Sequence, residues 1–566
     1  MDLYHGGPPV NLLVDDKRRS ILKDIMKSLP SVTLGNRQLC DLELLATGAF
    51  SPLGGFMVRS DYESVLDRMR LQSGKLWPIP ICLDITEQTA HSLEAGQSVV
   101  LRDPEGVGLA VMHIEEIWPV DRKKEAEAVY GTNNKFHQGV RYLYDQVNDY
   151  YMGGKLEVME LPVHFDFRQN RLSPKEMRAA VAKLGWKRIV CFVTRNPIHR
   201  PQFEMTLTAM RSAGASLLIL AVAGMTSSMD FDHFTRVRCY KAAGKQYPPD
   251  AHMLNLLPHA MRMAGPREAV LHAVFAKNYG CTHLIIGHNH ASPDRIGDSP
   301  EFYKGDDANK MARTFSSEIG LTIIPFKEIV YLPFEDEFRS IDKVSEATQS
   351  ISLTGRDIRE RFRTGKRIPD WATFSNVMDE LYKAYPPPRK QGFTVFLTGL
   401  SGAGKSTIAK ILYSKFLEIG DRPVTLLDGD IVRRNLSSEL TFSKEHRDLN
   451  VKRIGFVAGE ITKNRGIAIC APIAPYHRTR SEIREAIETY GGFFEVHVAT
   501  PLSVCEDRDR KGMYAKARAG LIKGFTGVDD PYEDPLHPEL KIDTTSLTPD
   551  EAAKDILLCL NQRGYI

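Results

Sequence analysis

Phe393-Thr394-Val395-Phe396-Leu397-Thr398-Gly399-Leu400-Ser401-Gly402-Ala403-Gly404-Lys405-Ser406-Thr407-Ile408-Ala409-Lys410 decides how the last third of this 566-residue chain is read. The first six residues form an apolar run of the kind a strand buried on both faces requires, and a helical pattern follows from Lys405. Between them lies Gly-x-x-x-x-Gly-Lys-Ser. Glycines at 399, 402 and 404 let the backbone curl until successive N–H groups face one centre, and the start of the helix adds its partial positive charge. The stretch therefore predicts a cradle for nucleotide phosphates. Gly399, Gly402, Ala403 and Gly404 supply its backbone, Lys405 reaches the β/γ-phosphates, the Ser406 hydroxyl takes a Mg²⁺ that accompanies ATP, and Thr407 opens the helix.

Outward from this loop the same alternation recurs, with strands expected at Val424–Leu427, Ala468–Ile473 and Phe493–Ala499. Residues 389–566 read as one α/β domain. It follows the run Tyr385-Pro386-Pro387-Pro388-Arg389-Lys390-Gln391, where no helix continues and a linker is placed. Residues 1–165 show short apolar strands broken by turn residues, as around Leu76–Asp84 and Ser98–Arg102, and predict a β-rich domain. Residues 166–325 alternate strands (Ile189–Val193, Ser216–Ala223, His283–Gly287, Leu321–Pro325) with longer helical patterns, which predicts a parallel sheet. Residues 326–388 are left as a small connecting domain with the linker. The fold class is multidomain α/β.

Composition narrows the function classes. A formal net charge of +3 gives no global reason for a nucleic-acid or anionic-membrane partner. The eight cysteines are scattered without a C-x-x-C pair, which suits reduced thiols in a cytoplasmic enzyme. No stretch approaches the roughly 20 apolar residues of a membrane span, and the opening residues lack the pattern of a leader. No Asn-Lys-x-Asp guanine-recognition run accompanies the phosphate loop, so a GTP switch has no support. The second strand of the last domain ends Leu427-Asp428-Gly429-Asp430, placing carboxylates at the edge where open α/β sheets bind ligands. One of these carboxylates can accept a hydroxyl proton or help hold the water shell of the magnesium.

Four further stretches carry a resemblance: Asp428-Gly429-Asp430-Ile431-Val432-Arg433, Phe442-Ser443-Lys444-Glu445-His446-Arg447-Asp448-Leu449-Asn450, Lys511-Gly512-Met513-Tyr514 and Gly524-Phe525-Thr526-Gly527-Val528-Asp529. With the phosphate loop, in this order, they resemble adenylylsulfate (APS) kinase over the whole domain. The resemblance implies transfer of the ATP γ-phosphate to the 3′-hydroxyl of APS. It implies an acceptor pocket that includes Asp430, with Arg433, Arg447 and Asn450 at the sulfate-phosphate end and Asp428 as the candidate for orienting the 3′-hydroxyl. Phe442 and Phe525 would sit about the adenine, with Ile473, Ala474 and Gly524 lining the pocket and Lys511 on a lid. Arginine forks suit oxyanions and aromatic faces suit a purine. One departure is Ala474, where the family often has serine. An alanine cannot carry a phosphoryl intermediate, which leaves direct transfer.

Upstream, Cys40–Leu45, Gly48–Leu53, Thr194-Arg195-Asn196-Pro197, Asp232-His233-Phe234-Thr235-Arg236 and Met263–Ala269 resemble ATP sulfurylase, covering residues 30 to 380. The resemblance implies a PUA-like first domain and a Rossmann-like nucleotidyltransferase second. With the kinase domain, the chain is similar to fused sulfurylase–kinase chains, which implies a homo-oligomer, dimer or hexamer. A sulfurylase must hold several anions and neutralise a leaving pyrophosphate. The family's Gln-Thr-Arg-Asn-Pro-x-His-x-x-His reads here as Val193 through Gln202, and its Gly-Arg-Asp-His-Ala reads as Gly287-His288-Asn289-His290-Ala291. Losing one transition-state donor costs about 2.7–4 kcal/mol. Val193, Gln202, His288 and Asn289 therefore predict a half with little or no sulfurylase activity. Arg195, Asn196, His199 and Arg200 survive as groups able to hold a nucleotide or anion. A fully bifunctional enzyme is the alternative, and a nucleotide-sensing or scaffold module is the reading from another class.

Overall fold

The computed structural model describes residues 4–566, apart from 228, 295–299, 346, 354, 364–365, 442 and 510–511 and the side chains of residues 356, 363 and 430. It divides into two compact units. One comprises 1–359 with 368–381, the other 360–367 with 382–566.

The first unit begins with a six-stranded sheet of β1 (Ser31–Thr33), β2 (Gly55–Phe56), β3 (Leu83–Ile85), β4 (Ser98–Arg102), β5 (Gly108–Pro119) and β6 (Tyr150–Val158). Its order is β1-β4-β5-β6-β2, with β3 also on β6. Only the β1–β4 pair is parallel. Six α-helices surround this sheet, more than the turn-rich sequence suggested. The expected strand around Leu76–Asp84 is reduced to β3, because Pro78 and Pro80 have no N–H for a ladder.

The parallel sheet of the same unit comprises β7 (Ile189–Thr194), β8 (Ser216–Val222), β9 (His252–Leu257), β10 (His283–Ile286) and β11 (Thr322–Pro325), in the order β11-β10-β7-β8-β9. The chain reverses direction of growth beside β7, and the segment after β7 therefore emerges where such sheets bind ligands. Four of these strands match the sequence expectation, and β9 was missed. His252 and Asn255 interrupt its apolar pattern. A hairpin of β12 (Ile329–Leu332) and β13 (Glu337–Ser340) follows.

The two sheets of this unit share one buried core. Phe50 stacks on Phe275 at 5.4 Å and meets Trp77 edge-on at 5.6 Å. Arg262 donates to both oxygens of Asp41, at 2.8 and 2.6 Å, with both side chains nearly inaccessible. Breaking such a pair strands a buried charge, at a cost of about 3–5 kcal/mol.

The second unit is built on β14 (Phe393–Thr398), β15 (Val424–Asp428), β16 (Ile467–Ala471), β17 (Gly492–Val498) and β18 (Leu540–Ile542), all parallel, in the order β15-β16-β14-β17-β18. β16 ends two residues earlier than the apolar pattern suggests, because Pro472 removes a donor. β18 was missed, being only three residues long. β14 lies centrally, and all six of its residues are buried. Among the described residues, no helix is long and apolar enough to cross a membrane.

Candidate functional site

The phosphate loop leaves the end of β14 and enters the helix Lys405–Ile419 through Gly404, whose φ of +99° only glycine adopts readily. Gly402 has φ +79°, and a Cβ there would stand 2.8 Å from the Cys505 carbonyl oxygen. The loop is braced from behind. The hydroxyls of Thr500 and Thr544 donate to the Ala403 carbonyl at 3.2 and 3.1 Å, and Tyr514 Oη donates to the Ser401 carbonyl at 2.9 Å. Arg508 donates to the Thr544 hydroxyl and carbonyl, both at 2.8 Å.

Lys405 folds over its own loop, donating to the carbonyls of Gly399 at 2.8 Å and Leu400 at 2.7 Å. Burial lowers its ammonium to about 8. Its hydrogen-bond partners are neutral carbonyls, and the nearby Asp428 charge favours the ammonium. Ser406 and Thr407, at the first turn of the helix, are exposed. A hydroxyl at that position suits a cation held beside nucleotide phosphates.

Asp428 ends β15 opposite Ala471 of β16, and the helix Gly429–Leu436 starts directly after it. Asp430 lies in the first turn of that helix, with its side chain outside the described residues, as are Phe442 and Lys511 altogether. Arg433, one turn on, donates to the Thr441 carbonyl at 3.2 Å. Arg447 and Asn450 occupy the helix Lys444–Lys463, capped by the Ser443 hydroxyl, and their spacing of three puts them on one face.

Arg447 is committed to protein partners. It donates to the Gly524 carbonyl at 2.6 Å, the Thr526 hydroxyl at 2.9 Å and Tyr476 Oη at 3.2 Å, and pairs with Asp530 at 3.0 Å. Tyr476 Oη in turn donates to Asp530 at 2.9 Å. The arginine that sequence reasoning aimed at a substrate oxyanion thus also ties down the 524–530 turn. Asn450 is buried, and its Oδ1 has no partner among the described residues. Phe525 meets Tyr514 edge-on at 5.0 Å, and the N–H groups of Gly524 and Phe525 both bond Asp529. Ile473 and Ala474 form a strap against the phosphate loop. Their carbonyls accept from the Thr398 hydroxyl at 2.7 and 3.2 Å, and the Ile473 carbonyl also accepts from Gly399 N–H at 3.3 Å. Tyr476, Thr500, Arg508, Asp530 and Thr544 had no motif to announce them, because each acts by reaching a neighbour distant in sequence.

In the first unit, the segment after β7 runs through Arg195 to His199, which precedes the helix Arg200–Ala213. Arg195 Nη1 donates to both Asp230 oxygens, at 2.7 and 2.8 Å, and to Asp294 at 3.1 Å, while Nη2 reaches Asp294 at 3.2 Å. Burial disfavours its charge, but the two carboxylates outweigh that and hold Arg195 above the ordinary guanidinium value. Asn196 Oδ1 accepts from Arg359 at 2.7 Å. His199 is buried against the Thr373 hydroxyl at 2.9 Å, and burial, then the nearby Arg359 charge, bring it down to about 4.

Arg200 stands over the Phe338 and Phe374 rings at 5.5 and 5.9 Å. Val193 is a core residue, and the Gln202 side chain accepts from the His199 N–H at 3.2 Å. His288 is exposed, and Asn289 takes a left-handed φ of +56°, which suits asparagine. Asp230, Asp294 and Arg359 were not legible as partners of this segment.

Comparison with known proteins follows the same division. Residues 3–161 match a PUA-like domain, 168–384 match ATP-sulfurylase and 391–543 match adenylylsulphate kinase. A sulfate adenylyltransferase of Phaeosphaeria nodorum is 44% identical over 566 residues, covering 99% of both chains. One of Mycosarcoma maydis is 44% identical over 569 residues, with the same coverage. A solved structure described as a hexameric APS kinase from Thiobacillus denitrificans superposes with a TM-score of 0.81 at 38% identity, covering 100% of each chain. Domain order, full-length relatives and whole-chain structural likeness agree, and the chain belongs to the family of fused ATP sulfurylase–APS kinase proteins.

Proposed function

We propose that the second unit transfers the γ-phosphoryl group of ATP to the 3′-hydroxyl of APS, giving 3′-phosphoadenylylsulfate (PAPS) and ADP. The observation that carries this reading is a buried Lys405 that donates to the carbonyls of its own braced phosphate loop, with the Asp428 charge at the strand end near it. In this reading the loop N–H groups of Gly399, Gly402, Ala403 and Gly404 hold the nucleotide phosphates, and Thr407 supports the first turn. Lys405 exchanges its loop carbonyls for phosphate oxygens and compensates charge as it moves between donor and acceptor. Ser406, with Asp428 nearby in the chain fold, would hold Mg²⁺, which when bound neutralises charge on the phosphates. Asp428 orients the attacking hydroxyl and accepts its proton. Asp430, Arg433, Phe442, Asn450, Ile473, Ala474, Lys511, Gly524 and Phe525 form the APS pocket. Arg447 shapes it by fixing the 524–530 turn.

For the first unit the bifunctional reading leads, with formation of APS from ATP and sulfate upstream of the kinase. The full-length relatives bear the name of that reaction, and they favour it over the expectation of a silent half. Arg195, Asn196, His199 and Arg200 are the groups assigned to the anions there. The silent or sensing module is kept as a second reading on one observation, that Arg195 is already paired with two carboxylates. A homo-oligomer is the expected state, supported by the hexameric relative.

A paired assay on one preparation tests both units: APS-dependent ADP formation, and sulfate-dependent pyrophosphate release from ATP. Both activities are expected. Absence of the first overturns the kinase assignment, and absence of the second moves the first unit to the silent reading.

A further inference from the structure

We infer that Asp294 sets the oxyanion affinity of the first unit's site by serving as an internal anion for Arg195. This rests on the reading of Arg195 as an anion ligand of that site. A guanidinium presents its two terminal nitrogens as a fork, and a sulfate or phosphoryl group takes that fork bidentately. Here the fork already holds a carboxylate: Nη1 is 3.1 Å from one Asp294 oxygen and Nη2 is 3.2 Å from the other. Nη1 also bonds both oxygens of Asp230.

Arg359 closes the cluster, reaching Asp294 at 3.3 Å and Asp230 at 3.6 Å. Two guanidiniums and two carboxylates cancel in formal charge. Within this cluster an incoming oxyanion must therefore displace a carboxylate from the same donors.

The two carboxylates are not equivalent. Asp230 has a side chain only 1% exposed and accepts from the Ser227 N–H at 3.2 Å, so it is built into the fold. Asp294 is 14% exposed, lies beyond β10 beside the Ser227 hydroxyl, and is the carboxylate that spans both Nη1 and Nη2, whereas Asp230 bonds Nη1. It is the carboxylate an external ligand would replace. Removing its charge while keeping its shape leaves Arg195 paired with Asp230 but opens the fork, so the site gains affinity for tetrahedral oxyanions. Asp294 is thus a specificity-determining residue for the site.

The test uses the full chain, with inorganic sulfate as probe at constant ionic strength, read by equilibrium dialysis and by the sulfate-dependent shift in melting temperature. Asp294→Asn is expected to bind sulfate at least tenfold more tightly than the parent, and Asp294→Glu to bind like the parent. The gain should vanish in Asp294→Asn combined with Arg195→Ala. Equal affinity of Asp294→Asn and the parent, with Arg195→Ala weakening both, overturns the role of Asp294 and leaves Arg195 as the ligand. If Arg195→Ala changes nothing in either background, the reading of Arg195 itself fails. The melting shift reads the same affinity should Asp294→Asn be less stable.

Discussion

Lys405 and Arg195 occupy corresponding places in two different parallel sheets, each just beyond a buried strand and at or before the start of a helix, yet their neighbours differ in charge. Lys405 donates to two backbone carbonyls of its own loop, whereas Arg195 is ion-paired with Asp230 and Asp294. A carbonyl dipole is readily exchanged for a phosphate oxygen, which is the stronger acceptor for an ammonium. A buried carboxylate competes on equal terms with an incoming anion. The number of cations at a site therefore says less about its anion affinity than the charge left over after internal pairing.

The largest expected break in this comparison comes from Lys405→Ala. APS-dependent ADP formation should fall about a thousandfold, the size of losing one preorganised transition-state contact. Melting of the first unit should not move, because the substitution lies in the other compact unit.

A smaller effect separates binding from bracing. Arg447→Ala removes the ties to Gly524, Thr526, Tyr476 and Asp530 and should raise KM for APS by roughly tenfold, in line with loss of about one charged hydrogen-bond contribution. KM for ATP should change much less. Equal changes in both would mean that the turn supports the whole domain rather than the acceptor pocket.

The smallest effect is a difference in pH response. Lys405 carries its charge below about 8 and loses it above, because burial lowers its ammonium. The value of kcat/KM for ATP, which reports the free enzyme, should therefore fall as pH rises past about 8, approaching tenfold per unit. Arg195 is held above the ordinary guanidinium value once its carboxylate partners outweigh burial, so anion binding by the first unit should show no matching alkaline loss. A flat kinase profile to pH 10 would show that Lys405 is not the titrating group.

Much of this was legible in advance because the signals are local. The apolar run Phe393–Thr398, the glycines and the helical pattern after Lys405 set strand, loop and helix in place, and the other predicted strand edges of this unit moved by one residue, or by two at the end of β16 where Pro472 removes a donor. The strands β9 and β18 escaped, the first because His252 and Asn255 interrupt its pattern and the second because three residues carry too little pattern. The expected strand at Leu76–Asp84 shrank to β3 for want of N–H donors at its prolines.

The sequence by itself determined most of the strands and the loops that follow them, and hence that Lys405 would open a helix after a glycine-rich loop and Asp428 would end a strand. Those outcomes depend on residues adjacent in the chain, whose backbone preferences and hydrophobic period act over a few positions. Only the tertiary structure decided what the charged side chains are paired with. Arg447 meets Asp530 across 83 positions, and Arg195 meets Asp294 across 99. Charge interactions depend on distance in space and on exclusion of water, and neither is written in the spacing of residues along the chain.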